Sequence, residues 1–260
     1  MLRTRVNKMD FKRLFKIGVL TLFGGIFMAN SFCSAHSIRT PEGNMPMVHW
    51  AVVESTPGGM TAMGRIARET VGPQSAREAG TYALYGGIDA QNPDVMRLLE
   101  IYESYEAYRI HSTSEAFQAY RAARLPVLKN LRILEANGIA LEQKDKGVGK
   151  VVYMHRYEVI PEKLAKYQKL ATQEARRAVN EDDGVLGMFV TAEHDAPNVI
   201  HTMEIYRDRE AFEKYQASEA CQTYMMEVMP MFSMTHMVEN MPGNIVLSDK
   251  GIHKRLVTRD

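Results

Sequence analysis

An unperturbed imidazole titrates near 6.5 and can move protons at neutral pH, so His111 is the first residue of chemical interest in this chain. It stands in a stretch that the chain writes twice. Residues 100–120 read EIYESYEAYRIHSTSEAFQAY and residues 204–224 read EIYRDREAFEKYQASEACQTY. Ten of the 21 positions agree without a gap, which makes them copies of one another. The second copy has Tyr215 where the first has His111. A phenol titrates near 10 and donates a hydrogen bond where an imidazole accepts a proton, so the two positions are chemically unequal. Two further histidines lie in strand-like runs. His49 precedes the single tryptophan, Trp50, in HWAVVESTP, and His155 lies in YMHRYEVIP. Strand alternation sends His49 and Trp50 to opposite faces.

The elements that position these residues follow from the repeat. A constant offset of 104 pairs Glu54 with Glu158, Pro57 with Pro161, Gly80 with Gly184, Pro93 with Pro197, Pro126 with Pro230 and Glu135 with Glu239. Such punctuation at one offset marks a duplicated structural unit. Each copy opens with a strand rich in β-branched and aromatic residues, 48–55 or 151–159. A helix follows the proline; in copy two, Leu164, Tyr167, Leu170, Ala171 and Ala175 share one face. Copy one is weaker here, being interrupted by Gly72 and Pro73. Two strands come next (TYALYGGI and VMRLLEIYE, or VLGMFVTAE and VIHTMEIYR), joined by QNPD or DAPN turns. Ser104 or Asp208 then caps one short helix, and Ser114 or Ser218 caps a second. A last strand closes each unit.

The order β-α-β-β-α-β predicts an α+β protein of two tandem ferredoxin-like repeats. Each four-stranded sheet has one face covered by helices, and its other face must be buried. The expected solution packs the copies sheet to sheet as an intramolecular dimeric α+β barrel, a monomer with an internal pseudo-dimer, open to further association. The predicted boundaries are repeat one at 47–143, a polar linker at 144–149, repeat two at 150–248, an N-terminal extension at 36–46 and a C-terminal tail at 249–260.

Residues 1–35 predict a signal peptide. Arg3, Arg5, Lys8, Lys12, Arg13 and Lys16 precede the apolar run IGVLTLFGGIFM, too short to span a bilayer, and small residues then place cleavage after Ala35. Met9 is an alternative start, and a lipid anchor at Cys33 lacks its usual preceding pattern. The mature chain is then exported, periplasmic or secreted, with no stable membrane span. It keeps only Cys221, so no internal disulfide forms. Lys plus Arg number 32 against 31 Asp plus Glu, and removal of the basic leader leaves a mildly acidic protein with no basic run for nucleic acid. Phosphate loops, Gly-x-Ser-x-Gly elbows and HExxH zinc motifs are absent.

The run E-x-Y-x-S-x-E-A-[YF]-x-x-[HY]-x-x-S-E-A-[FC]-Q-x-Y resembles the central signature of the antibiotic biosynthesis monooxygenase family, across both repeats. The resemblance implies O2-dependent oxidation of a quinol or activated polycyclic aromatic without flavin, haem or metal, in a pocket between each sheet and its helices. It implies His111 as catalytic base, with Tyr215 at the matching place in copy two. It also implies His49 or Trp50, Tyr102 and His155 as pocket residues for a small aromatic substrate, with core packing the simpler role for Trp50 and Tyr102.

Three alternatives compete. Haem-degrading relatives of this fold use an axial histidine at a position occupied here by Arg121 and Met225, which disfavours haem. The run YMMEVMPMFSMTHMVENM, with Met225, Met226, Met229, Met231, Met234, Met237 and Met241 around His236, offers soft ligands for Cu(I) in an exported protein. Met is also a flexible core filler. Lastly, the repeat could be a non-catalytic small-molecule module.

Overall fold

The computed structural model describes residues 37–259; the predicted signal peptide and its cleavage point lie outside them. A short strand, β1 (Ser37–Arg39), precedes the first repeat, which runs β2 (Met47–Ser55), α1 (Met60–Glu69), α2 (Val71–Arg77), β3 (Thr81–Ile88), β4 (Val95–Tyr102), α3 (Tyr105–Thr113), α4 (Glu115–Arg124) and β5 (Leu128–Gln143). The second runs β6 (Val151–Val159), α5 (Leu164–Glu181), β7 (Val185–Glu193), β8 (Val199–Tyr206), α6 (Arg209–Ala217), α7 (Glu219–Val228), β9 (Phe232–Glu239) and β10 (Ile245–Asp249). A final strand, β11 (Val257–Arg259), pairs antiparallel with β1. Among the described residues no helix is long and apolar enough to cross a membrane.

The caps act as the sequence predicts. Ser104 and Asp208 accept from the backbone N–H groups of Ala107 and Ala211, and Ser114 and Ser218 accept from those of Phe117 and Cys221. The repeated glycine is a matter of close approach. A Cβ on Gly80 would lie 2.6 Å from the Cβ of Ala107, and one on Gly184 would overlap that of Ala211. The first turn of α3 or α6 thus rests directly on the chain entering β3 or β7. The long first helix survives only in copy two, whose 18 residues contain neither Gly nor Pro. In copy one Thr70 leaves helical geometry and Pro73 falls in the first turn of α2, where its missing N–H costs nothing.

The two repeats form one nine-stranded antiparallel sheet, ordered β10-β3-β4-β2-β5-β7-β8-β6-β9. Strand β5 joins the halves: its first part pairs with β2, and from Ala136 onward it pairs with β7. The second repeat returns the exchange, because β9 pairs with β6, Asn240 bridges Asp89, and β10 pairs with β3. The Asp89–Asn240 bridge is the image, at the same offset of 104, of the Ala136–Glu193 pair. The sheet therefore closes on itself as an intramolecular α+β barrel with pseudo-twofold symmetry, and no long edge is left at either junction.

Its interior is filled from both halves, by Trp50, Tyr85, Leu99 and Ile101 from one and Met154, Phe189, Met203 and Ile205 from the other. Each large side chain so buried contributes about 1.5–3 kcal/mol. Ile38 in β1 and Ile252 before β11 join this core, so both terminal segments are part of the packed structure. Two further cores lie between sheet and helices, one per repeat.

Candidate functional site

Strand β8 supplies the polar floor of the helix layer in copy two. Its alternation sends Met203 and Ile205 into the barrel and turns Thr202, Glu204 and Tyr206 toward the helices. Strand β6 runs alongside and presents His155 and Tyr157 on the same face. The Glu204 carboxylate accepts a hydrogen bond from Tyr206 Oη at 2.7 Å and lies 3.6 Å from His155 Nε2. Burial pushes the Glu204 carboxyl up, but His155, by charge and hydrogen bonding, together with the Tyr206 hydroxyl, outweighs it and holds the group below the usual glutamate range.

Above this floor, under α5 and α7, is a cavity of about 50 Å³ walled by Tyr157, Tyr167, Tyr224 and Phe232, with Thr202, Glu204, Tyr215 and Cys221 as its polar lining. Thr202 Oγ1 and Tyr167 Oη are buried without a hydrogen-bond partner of good geometry, although the Tyr224 hydroxyl neighbours Tyr167 closely enough to influence its ionisation. An unpaired buried hydroxyl facing a void, as Thr202 presents, calls for a polar guest. Burial pushes the Cys221 thiol up to about 12, so it is a neutral wall rather than a nucleophile. Burial likewise keeps Tyr215 neutral, and its hydroxyl donates to Glu174 Oε1 at 2.9 Å.

The matching layer of copy one is packed differently. His111 is 3 % exposed, and its Nδ1 lies 2.7 Å from Glu78 Oε2, which also accepts from the Thr81 hydroxyl. Its ring packs 5.0 Å from Phe117 and 5.4 Å from Tyr102. Phe117 is the repeat image of Cys221, and Leu98 that of Thr202. A ring thus stands where copy two has a small thiol, and an aliphatic chain where it has an unpaired hydroxyl. The cavity described above lies beside Tyr215 and not beside His111, which is held against the Glu78 carboxylate within the core.

The other predicted pocket residues separate into three places. His155 and Tyr215 come to the copy-two cavity, the former through Glu204. Tyr102 donates to Glu100 at 3.0 Å in the helix layer of copy one, as Tyr206 does to Glu204. His49 lies in the same layer, its ring 4.8 Å from Tyr108. Trp50 is corrected: it points away from both helix layers into the barrel, donates from Nε1 to Thr191 Oγ1 at 2.9 Å and packs on His201. Only the layer assignment of β2, between β4 and β5, decides which of the two faces receives helices. The residues that sequence reasoning did not single out are Glu204, Thr202, Tyr157, Tyr167 and Cys221. Glu204 was visible as the opening residue of the second repeated stretch.

His49 carries a pH prediction. Both ring nitrogens are buried without a hydrogen-bond partner, with Glu100 Oε2 3.9 Å from Nδ1. Burial lowers its pKa, against the opposing charges of Glu100 and Glu135. Below about 6.5 an unfolded chain then binds a proton that the folded chain refuses, so stability falls as pH drops from there toward the folded pKa. His201, also lowered by burial, adds with the same sign. The melting temperature should therefore fall between pH 7.5 and 5.5. His49→Tyr, which installs the copy-two residue of that position (Tyr153), should lose less over that interval; an equal loss in the variant would remove His49 from the explanation.

At the position where haem-degrading proteins of this fold carry an axial histidine, Met225 lines the cavity. The methionine run does not converge: along β9, Met234 and His236 share one face while Met237 takes the other.

The sequence model for antibiotic biosynthesis monooxygenases matches residues 46–123 and 151–226, one match per repeat. No curated protein matches the chain in sequence. Among solved structures, a candidate monooxygenase from Lactobacillus acidophilus NCFM superposes with a TM-score of 0.73 at 14 % identity, covering 83 % of this chain and 99 % of its own. A candidate monooxygenase from Fusobacterium nucleatum gives 0.68 at 17 % identity, with coverages of 76 % and 92 %. An anthrone oxidase-like protein gives 0.52 at 13 % identity, with coverages of 81 % and 96 %. At these identities the likeness speaks for the fold.

Proposed function

Because the chain belongs to the antibiotic biosynthesis monooxygenase family, we propose that it is an exported, cofactor-independent enzyme that oxidises a quinol or activated polycyclic aromatic with O2. We place the reaction in the cavity of its second repeat. The observation that carries this reading is the part-buried Glu204–His155 pair beneath a cavity lined by the buried hydroxyls of Thr202 and Tyr167. The anthrone oxidase-like relative in fold is in keeping with an activated aromatic.

A phenolic substrate meets Glu204 first. Its proton would not stay there, since a phenol titrates near 10 and this carboxyl sits below the usual glutamate range. The charge that depresses it is that of protonated His155, so the proton-accepting form of the pair is the one with a neutral imidazole, in which the proton passes through Glu204 to His155, an imidazole being a stronger base than a carboxylate. Glu204 is thus the contact group and His155 the proton's destination, while Thr202 and Tyr167 offer hydrogen bonds to the substrate oxygens. The resulting phenolate gives one electron to O2, and the radical pair joins in a C–O bond. Cleavage of the O–O bond then releases water with the returned proton. A quinol plus O2 yields a hydroxyquinone plus water, so the substrate supplies all the electrons.

The test is O2 uptake by the purified protein with reduced menadione. Uptake well above the autoxidation rate is expected. Uptake at the autoxidation rate across several quinols and anthrones would remove the enzymatic reading and favour the binding-module alternative.

A further inference from the structure

A surface groove of about 620 Å³ runs between α5 and α7, lined by Leu170, Arg177, Glu219, Thr223 and Glu227 on its outer part. Its inner wall is Glu174 and Tyr224, and the same two residues line the cavity. These side chains are therefore the partition between this groove and the cavity. Glu174 is held in place from two sides. Arg177 grips its carboxylate with Nε at 2.9 Å and Nη2 at 2.8 Å, and the Tyr215 hydroxyl donates from α6. Copy one has no such lock, since its images of Glu174 and Arg177 are Thr70 and Pro73.

Size makes the partition matter. A cavity that admits one benzene ring is about 150 Å³, three times the volume found here. No aromatic substrate enters while the partition stands. Displacing it joins the cavity to the groove and provides the missing volume.

We infer that the groove between α5 and α7 is the substrate entrance and that Glu174 and Tyr224 form its size-selecting gate, latched by Arg177 and Tyr215. This rests on the oxidase reading for the identity of the ligand, though not for the gate itself. The entrance favours a neutral phenol or quinol over an anion, because Glu174, Glu219 and Glu227 line it and Arg177 is already neutralised by Glu174 and Asp182. Deprotonation then follows entry, at Glu204.

Cys221 reports on the gate without any substrate. It lines the cavity, is 2 % exposed, and is the only cysteine among the described residues. Its alkylation by N-ethylmaleimide, read by mass spectrometry of its peptide in the full chain, should be slow in the wild type. It should quicken at least about tenfold in Glu174→Ala and in Tyr224→Ala, the scale of a local opening made easier. Tyr224→Ala alters no formal charge near the thiol, so acceleration there reflects access. Phe117→Ala, which loosens the helix layer of the other repeat, controls for general destabilisation. If both gate variants label no faster than Phe117→Ala, the gate is wrong, whatever the quinol assay shows. If they label faster but no quinol is oxidised, the gate stands and the oxidase reading falls.

Discussion

Replacing Cys221 by phenylalanine should reduce quinol-dependent O2 uptake to the autoxidation rate while the barrel remains folded. The substitution copies into repeat two the residue that repeat one carries at the same helical position. There Phe117 follows a serine cap of the same geometry and packs against His111 at 5.0 Å. The backbone of α7 therefore accepts an aromatic residue in principle. Its ring needs more room than the roughly 50 Å³ available and takes the place of substrate above Glu204. Overpacking of this kind costs about 1–3 kcal/mol, which for a chain of this size is a melting shift of roughly 2–4 °C per kcal/mol. Circular dichroism melts beside O2-electrode rates separate a filled site from an unfolded protein. Activity retained in a folded Cys221→Phe would place the reaction elsewhere.

The second large effect is expected from Glu204→Gln. The amide keeps the shape of the side chain and can still accept from Tyr206, but it cannot take a proton and pass it to His155. Loss of a positioned acid–base group lowers rates by about 10²- to 10⁴-fold, and that is the expected fall in kcat with KM little changed. A pH profile distinguishes this role from a structural one. The wild-type rate should fall as pH is lowered and the relay becomes protonated, whereas the residual rate of the variant should follow only the ionisation of free substrate, rising toward alkaline pH. A profile of unchanged shape at lower amplitude would assign Glu204 to structure. Because the folded carboxyl is depressed, its contribution to stability is present above the unfolded glutamate range and is lost as pH falls through the lower folded value. Activity measurements near neutrality lie outside that window.

The architecture was readable from punctuation. Gly80 and Gly184, the Ser and Asp caps, and the paired prolines recur at one offset because each serves a local geometry that both copies share. The strand exchange was not readable, since nothing in LRILEANGIALEQ tells where β5 leaves β2 for β7; that depends on where the partner repeat lies. Of the proposed site, the residue types were legible and their surroundings were not. His111 drew attention as the one imidazole in the duplicated stretch, yet its meaning is set by Glu78 and Phe117, which surround it only in three dimensions. The informative difference in that stretch was six residues on, Phe117 against Cys221, where volume rather than reactivity separates the copies. The choice between His49 and Trp50 stayed open for a similar reason: alternation puts them on opposite faces but does not say which face the helices cover.

The central claim is that one of two duplicated layers, the second, holds the substrate. Its most direct test is an anaerobic titration with a naphthol, following the phenolate absorbance of the bound ligand. The expected result is one equivalent per chain, bound as phenolate, retained in His111→Gln and lost in Cys221→Phe. Two equivalents per chain, or a single one lost in His111→Gln and kept in Cys221→Phe, would contradict it.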